Sequence, residues 1–301
     1  MTKPLVSVVI PTYNGHKTIV QCLETVVNQQ TDFPYEIIVV DSSPEPLEPL
    51  IKPRFPQVRY VHSKRRLTIG EGLNYGIQLA KGEFVAFTHD DCKVPEDWLK
   101  RLMQHHFADE YAAVGGSIAN SNKGSLFAWV LHLLEFNRYL PGKRPCLIDD
   151  IPPCNLCYRK EVFEKTGLRF PSSNASEHTA VNEALVRQGW KILFDPRIAV
   201  WHLTRADWRS VLGHVINLGR WQAFVFANHR GRGDIFVHYP ILLFVYPLLR
   251  MIFGFWNCLW AGIHYATLFA VLSPLIFPVA CAWAIGIYQG VREYQWQAWQ
   301  K

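Results

Sequence analysis

The chain has 301 residues, 49% hydrophobic and 19% charged. That balance excludes disorder and collagen-like repeats and leaves room for one large domain or two smaller ones. Lys and Arg number 31 against 25 Asp and Glu, a net charge of +6 without a basic tract or an aromatic–basic repeat, which excludes a nucleic-acid partner. The charge is unevenly placed. Between residues 235 and 291 the single formally charged residue is Arg250, whereas residues 1–234 read as an ordinary soluble α/β domain. Seven cysteines follow no disulfide spacing and fit a reducing compartment. Cys154 and Cys157 form an isolated CxxC near Cys146, for which packing is expected rather than zinc. No signal peptide is read in the first residues, so the soluble part is expected in the cytosol.

Residues 5–10 (LVSVVI) are a β-branched apolar run stopped by Pro11, the mark of a buried parallel strand. Ile19, Leu23, Val26 and Val27 then recur at helical spacing. Residues 36–40 (EIIVV) predict a second buried strand ending at Asp41, and a Pro-rich loop follows over 42–56. A third strand is expected over 58–61, a helix over 71–80 and a fourth strand over 83–87. This alternation predicts an open, mostly parallel sheet wound on both faces, which binds ligands at the carboxyl ends of its strands. Those ends carry Pro11, Thr12, Tyr13 and Asn14, then Asp41 and Ser42, then His89, Asp90 and Asp91. Neither a GxGxxG after the first strand nor a GxxxxGK[ST] is present, so backbone amides are not the expected phosphate cradle. Carboxylates repel phosphate, so a bound diphosphate would need a divalent cation between them.

Further on, residues 125–140 form an aromatic amphipathic helix, packed on the sheet or resting on a membrane surface. Residues 152–156 are a loop entering a strand, 160–165 a short helix ended by Gly167, and 177–187 a helix followed by strands over 190–194 and 199–202.

Five segments in order, SVVIPTYNG (7–15), IIVVDSS (37–43), AKGEFVAFTHDDC (80–92), CNLCYRKEVFEKTGL (154–168) and SEH followed by RQGWKILFDPRIAVWH (187–202), resemble the family 2 glycosyltransferases, inverting enzymes with the GT-A fold. The resemblance implies a donor half over about residues 1–118 and an acceptor half over 119–234. It implies that Pro11, Thr12, Tyr13 and Asn14 hold the nucleotide, with Tyr13 offering a stacking face, and that Asp41 accepts from the base's ring N–H. Asp90 and Asp91 match acids of the metal signature, in which His89 stands for the first acid. Asp91, with His202, would hold Mn²⁺ or Mg²⁺. Arg66 is a further candidate for the diphosphate. The family's base is an acid in a Glu-Asp pair opening a helix. Here the pair reads Glu177-His178, with Gly189 at the usual spacing, and either residue is a candidate base.

The apolar run is long enough for two spans, expected over 239–256 and 266–288 and joined by a turn in 257–265, with 292–301 as a cytosolic tail. Arg230, Arg232, Arg292 and Lys301 flank it and favour the cytosolic side for both ends. Arg250 falls within the first span, where a snorkelling contact to lipid phosphate is expected, with an interfacial helix as the alternative. Asn217 to Trp221 keep too little of the QxxRW motif to predict a processive synthase, and Arg220 and Trp221 are expected on an interfacial helix.

The combined expectation is a membrane-anchored, metal-dependent transferase of cell-envelope polysaccharide or glycolipid synthesis, its catalytic domain on the cytoplasmic face. It would move one sugar from a nucleotide diphosphate sugar, UDP favoured, to a membrane-proximal and lipid-linked acceptor. A catalytically degenerate membrane scaffold is the competing expectation.

Overall fold

The computed structural model describes residues 3–228 and 233–299; Arg230, Arg232 and Lys301 lie outside the described residues. In chain order the elements begin with β1 (Val6–Thr12), α1 (Ile19–Val26), β2 (Tyr35–Asp41), α2 (Glu48–Ile51), β3 (Arg59–His62), α3 (Ile69–Leu79), β4 (Phe84–Phe87), β5 (Cys92–Lys93), α4 (Trp98–Ala108) and β6 (Ala113–Asn120). They continue with α5 (Leu126–Glu135), β7 (Cys146–Leu147), β8 (Leu156–Arg159), α6 (Lys160–Thr166), α7 (Glu177–Arg187) and β9 (Ile192–His202). The last are α8 (Trp208–Asn228), α9 (Asp234–His238), α10 (Tyr246–Ala261) and α11 (Ile263–Trp299).

Two compact units form. One takes the chain up to Ala119 with Arg144–Ser172 and Glu177–His202; the other takes Asn120–Lys143, Ser173–Ser176 and the chain from Leu203 onward.

The first unit is an α/β sheet in the order β3-β2-β1-β4-β8-β6-β9-β5, with β7 on β9. The strands β1 to β4 pair in parallel, as expected where helices return the chain. Beyond β4 the order changes: β8 runs antiparallel to β4 and β6, and β5 and β7 run antiparallel to β9. The sheet is therefore mixed rather than mostly parallel. A strand buried on both faces is apolar whichever way it runs, so direction left no trace in composition. The two short strands expected after α7 are one, β9, and the loop over 42–56 holds α2. Helix α3 starts where Thr68 closes a capping box, accepting from the Glu71 amide at 3.3 Å while the Glu71 carboxylate accepts from the Thr68 amide at 2.8 Å. The core includes Val8, Ile10, Ile38, Val85 and Phe87, beside an aromatic group of Phe87, Tyr158, Phe163 and Phe170.

The second unit is helical. Helix α5 is shorter than the aromatic pattern suggested, because the Asn137 amide donates to the carbonyls of Leu133 and Leu134 at 2.9 and 3.0 Å and caps it. Among the described residues one helix is long and apolar enough to cross a membrane, the stretch Ile263–Glu293 of α11. The first of the two expected spans is not found. Pro240 opens a 3-10 turn (Pro240–Phe244), Pro247 sits in the first turn of α10 where proline is tolerated, and the chain turns at Gly262. The 16 residues of α10 reach about 24 Å, short of the roughly 30 Å of hydrocarbon. Arg250 does not snorkel. Its guanidinium donates to the Leu134 carbonyl at 2.6 Å and to the Tyr246 hydroxyl at 3.1 Å, and stacks 3.9 Å from the Trp283 ring centre. Gln222 joins the group, its carbonyl accepting from Tyr246 at 3.3 Å and from Trp283 Nε1 at 2.8 Å. An orphan helix-end carbonyl and a ring face thus meet the cation inside the protein. Arg220 and Trp221 lie on α8, where Arg220 pairs with Glu293 at 2.6 Å. Helices α8 and α11 touch backbone to backbone. A Cβ added at Gly219 would meet the Trp283 carbonyl at 2.4 Å, one at Gly286 the Ile216 carbonyl at 2.2 Å, and one at Gly290 the Arg220 carbonyl at 2.5 Å.

His106 gives a stability test. It is buried against Phe84, one ring nitrogen 3.1 Å from the Cys157 carbonyl. Burial drives its pKa down to about 3, helped by the nearby Arg159 charge. Between about pH 6.5 and 3 the unfolded chain binds a proton here that the folded protein refuses, so stability falls as pH drops through that window. Comparing Tm between pH 7 and 5 should show a smaller loss in His106→Gln than in the wild type; parallel curves would refute the assignment.

Candidate functional site

The site belongs to the sheet unit, at the carboxyl ends of β1, β2, β4 and β9. After Pro11 and Thr12 the chain turns at Asn14, which takes a left-handed conformation (φ 60°) while its amide donates to the Ser43 hydroxyl at 2.8 Å. Asp41 is wholly buried, and its carboxylate accepts from the Ser43 amide at 2.8 Å, the Leu47 amide at 3.0 Å and the Tyr60 hydroxyl at 2.6 Å. Burial and the Asp41 carboxylate push the Tyr60 phenol well above its ordinary pKa. Tyr13 is 37% exposed and carries the Arg66 guanidinium 4.2 Å from its ring centre. Thus Pro11, Thr12, Tyr13, Asn14 and Asp41 share one loop pair, with Arg66 beside them.

Asp90 and Asp91 point to different partners. The Thr12 hydroxyl donates to Asp90 in a short hydrogen bond, a contact that requires a glycine next door: a Cβ at Gly15 would lie 2.1 Å from Asp90 Oδ2. Burial, then the charge of Asp91, pushes the Asp90 carboxyl up to about 7. Asp91 instead joins His89 and His202, whose ligand-capable atoms lie within 4.8 Å of one another. The β5–β9 register brings this about, since His202 pairs with Cys92 and its Nε2 comes 3.6 Å from Asp91 Oδ1. His89 Nε2 is buried without a hydrogen-bond partner, and burial holds the imidazole below its ordinary pKa, neutral with a lone pair to give. One carboxylate and two imidazoles fit a divalent cation, and the nitrogens tilt the choice from magnesium toward manganese. His89 was not among the expected ligands; its place at the first position of the acidic signature was the available signal. Cys154 and Cys157 are buried in the core and Cys146 is exposed, in keeping with packing.

Helix α7 opens with the third cluster. Ser176 precedes it at φ 59°, and Glu177 is buried. His178 Nδ1 lies 3.2 Å from Glu177 Oε1, and its Nε2 lies 3.8 Å from Asp150 Oδ1. Asp150, in the connection ahead of β8, had no motif to mark it. The field of Asp91, His202, Glu177 and His178 reaches His89, so the cation trio and the α7 pair act on one another.

Acidic strand ends beside a trio able to hold a cation would suit a diphosphate bound through that cation. The similarities to known proteins give the class. Residues 7–167, just over half of the chain, match Glycosyl transferase family 2, and the chain belongs to that family and is a glycosyltransferase. It is 24% identical over 250 residues to EpsJ, an uncharacterized glycosyltransferase of Bacillus subtilis, spanning 76% of this chain and 71% of that protein. It is 30% identical over 132 residues to the glycosyltransferase GlyG of Streptococcus pneumoniae, covering 42% of this chain and less than half (44%) of that protein. Among solved structures, the mannosyltransferase PcManGT of Pyrobaculum calidifontis, in complex with GDP-Man and Mn²⁺, superposes with a TM-score of 0.59 at 20% identity, over 99% of this chain and 88% of that one. The fold is thus GT-A-like.

If the trio holds the cation, Mn²⁺ should raise the Tm of the wild type, by a free energy of about 2.7 kcal/mol at a hundredfold excess over Kd. Asp91→Asn and His89→Ala should each remove that rise. A rise of unchanged size in both variants would put the ion elsewhere.

Proposed function

We propose that this glycosyltransferase moves a single sugar, with inversion, from a nucleotide diphosphate sugar to a hydroxyl acceptor at a membrane surface. The observation that carries the reading is the cation-capable trio of His89, Asp91 and His202 next to the Glu177–His178 pair. UDP is the favoured nucleotide and a lipid-linked molecule the favoured acceptor. Tyr13 offers its ring to the base. Three of roughly four acceptor sites on the Asp41 carboxylate are taken, leaving one for a ring N–H. Pro11, Thr12, Asn14 and Asp90 line the donor. A cation held by Asp91 and His202, with His89, would neutralise the diphosphate and stabilise it as a leaving group. His178 is the base: Nδ1–H donates to Glu177, which fixes the tautomer and leaves the lone pair on Nε2 for the acceptor proton. Exposure supports this division, since His178 keeps 16% of its side chain accessible against 3% for Glu177.

Attachment to the bilayer is part of the same reading. Every exposed side chain of α10 is apolar, with Phe253 at 63% and Trp260 at 76%. Its opposite face is held by the end of α5 and the segment that follows it. Leu134 meets Arg250, the Asn137 side chain accepts from the Asn257 amide at 2.9 Å, and Gly142 abuts the Ala261 carbonyl. Irregular, charged backbone of that kind does not enter hydrocarbon exposed to lipid. We therefore read α10 as lying along the interface, with α11 folded back on it from Gly262 and the catalytic domain on the cytoplasmic face.

Two experiments test these readings. Purified enzyme with Mn²⁺ should release nucleoside diphosphate from one of UDP-glucose, UDP-N-acetylglucosamine, UDP-galactose or GDP-mannose, and His178→Ala should lower kcat by about 10²–10⁴ with donor KM little changed. A fully active His178→Ala beside a dead Glu177→Gln would exchange their roles. For the membrane, the intact protein should sediment with membranes until detergent is added, with a C-terminal reporter on the cytoplasmic side. Recovery in the soluble fraction contradicts attachment, and a reporter on the far side means that α11 crosses the bilayer instead of folding back along α10.

A further inference from the structure

A carboxylate base ends neutral when it takes a proton, whereas an imidazole base ends positive. His178 therefore needs a counter-charge that an acid in its place would not. Glu177 meets Nδ1, but the proton arrives at Nε2, and the group facing Nε2 is Asp150. Two α7 side chains set the position of its carboxylate: the Thr179 hydroxyl donates to Oδ2 at 3.0 Å, and the Asn182 amide donates to Oδ1 at 3.2 Å. Asn182 is itself held by the Ile151 carbonyl at 3.0 Å and by the Tyr158 hydroxyl. The carboxylate is thus fixed from behind, with 11% of its side chain accessible, and turned toward the imidazole.

We infer that Asp150 is a positioning residue of the transfer step, holding the imidazolium that His178 becomes as the acceptor hydroxyl gives up its proton. The inference rests on His178 being the base. At 3.8 Å the neutral Nε2 and the carboxylate, both acceptors, stand apart. In the reaction the acceptor oxygen bonds to the anomeric carbon, the bond from that carbon to the diphosphate breaks with its electron pair leaving on phosphate, and the acceptor proton passes to Nε2. Nε2–H then faces Asp150 while Nδ1–H stays on Glu177, one carboxylate to each nitrogen. Among the titratable groups around His178 are Glu177 on its own helix, Asp150 ahead of β8, and His89 at the end of β4, whose own charge is disfavoured by burial.

The first readout needs no donor. Full-length protein labelled with ¹⁵N-histidine, in detergent, is titrated by long-range ¹H–¹⁵N NMR, the His178 signals being those lost in His178→Gln. Asp150→Asn, which keeps size and shape, should move the His178 midpoint down by about one pH unit, because a carboxylate at this distance favours the charged ring. Asp150→Glu should keep the midpoint near the wild type, and Thr179→Val, which loosens the tether and keeps the charge, should leave most of the shift in place. If Asp150→Asn does not fold, Asp150→Ser provides the same comparison. An unmoved midpoint in the charge-removing variant overturns the role of Asp150 and leaves the base untouched. Undiminished turnover of nucleotide sugar by His178→Ala overturns the base itself.

Discussion

Buried negative charge must be matched, and at this site five carboxylates are matched by different sets of partners. Asp41 takes two amide donors from the loop that follows it and the Tyr60 hydroxyl from β3. Asp90 takes one hydroxyl and, buried beside Asp91, keeps its proton into the neutral range. Asp91 is left to two imidazoles, Glu177 and Asp150 to a third. The strand ends sort these groups by the partners they can reach. Such sorting keeps a cluster of acids from unfolding the loops that carry it, since an unmatched buried charge costs several kcal/mol.

The parallel half of the sheet was legible because β1 and β2 are short β-branched runs, β4 is a short apolar run ahead of the His89 cluster, and helices separate them. The antiparallel half was not, since β8 inserts between β4 and β6, a choice made by long-range pairing. In the site, Asp91 and His202 were visible from sequence, and the structure brings both into one trio. Their neighbour His89 stands at the first position of the acidic signature, where an imidazole can serve as a ligand in place of a carboxylate. Asp150 could not be found at all, because what marks it is a meeting in space with a helix 28 residues further on. In the tail, where two spans are expected, only α11 among the described residues is long and apolar enough to cross a membrane. Hydropathy records how apolar a segment is, not whether Leu134 offers its one arginine a carbonyl.

The helical unit shows the same economy of polar groups in an apolar setting. Arg250, Tyr246, Gln222 and Trp283 close on themselves and on a helix end, leaving the outward side chains of α10 apolar apart from the indole N–H groups of Trp256 and Trp260. That face can be given to lipid because the charge has been dealt with on the other side.

The seam between α8 and α11 has a consequence for how this chain can drift. At Gly219, Gly286 and Gly290 a single methyl would collide with backbone, so each position admits one residue and no conservative substitute. In the same unit, the outward positions of α10 ask only for something greasy, and Leu, Phe, Ile or Trp should serve interchangeably. One helical unit therefore carries two kinds of mutational tolerance, letter by letter along the seam and by composition alone on the rim.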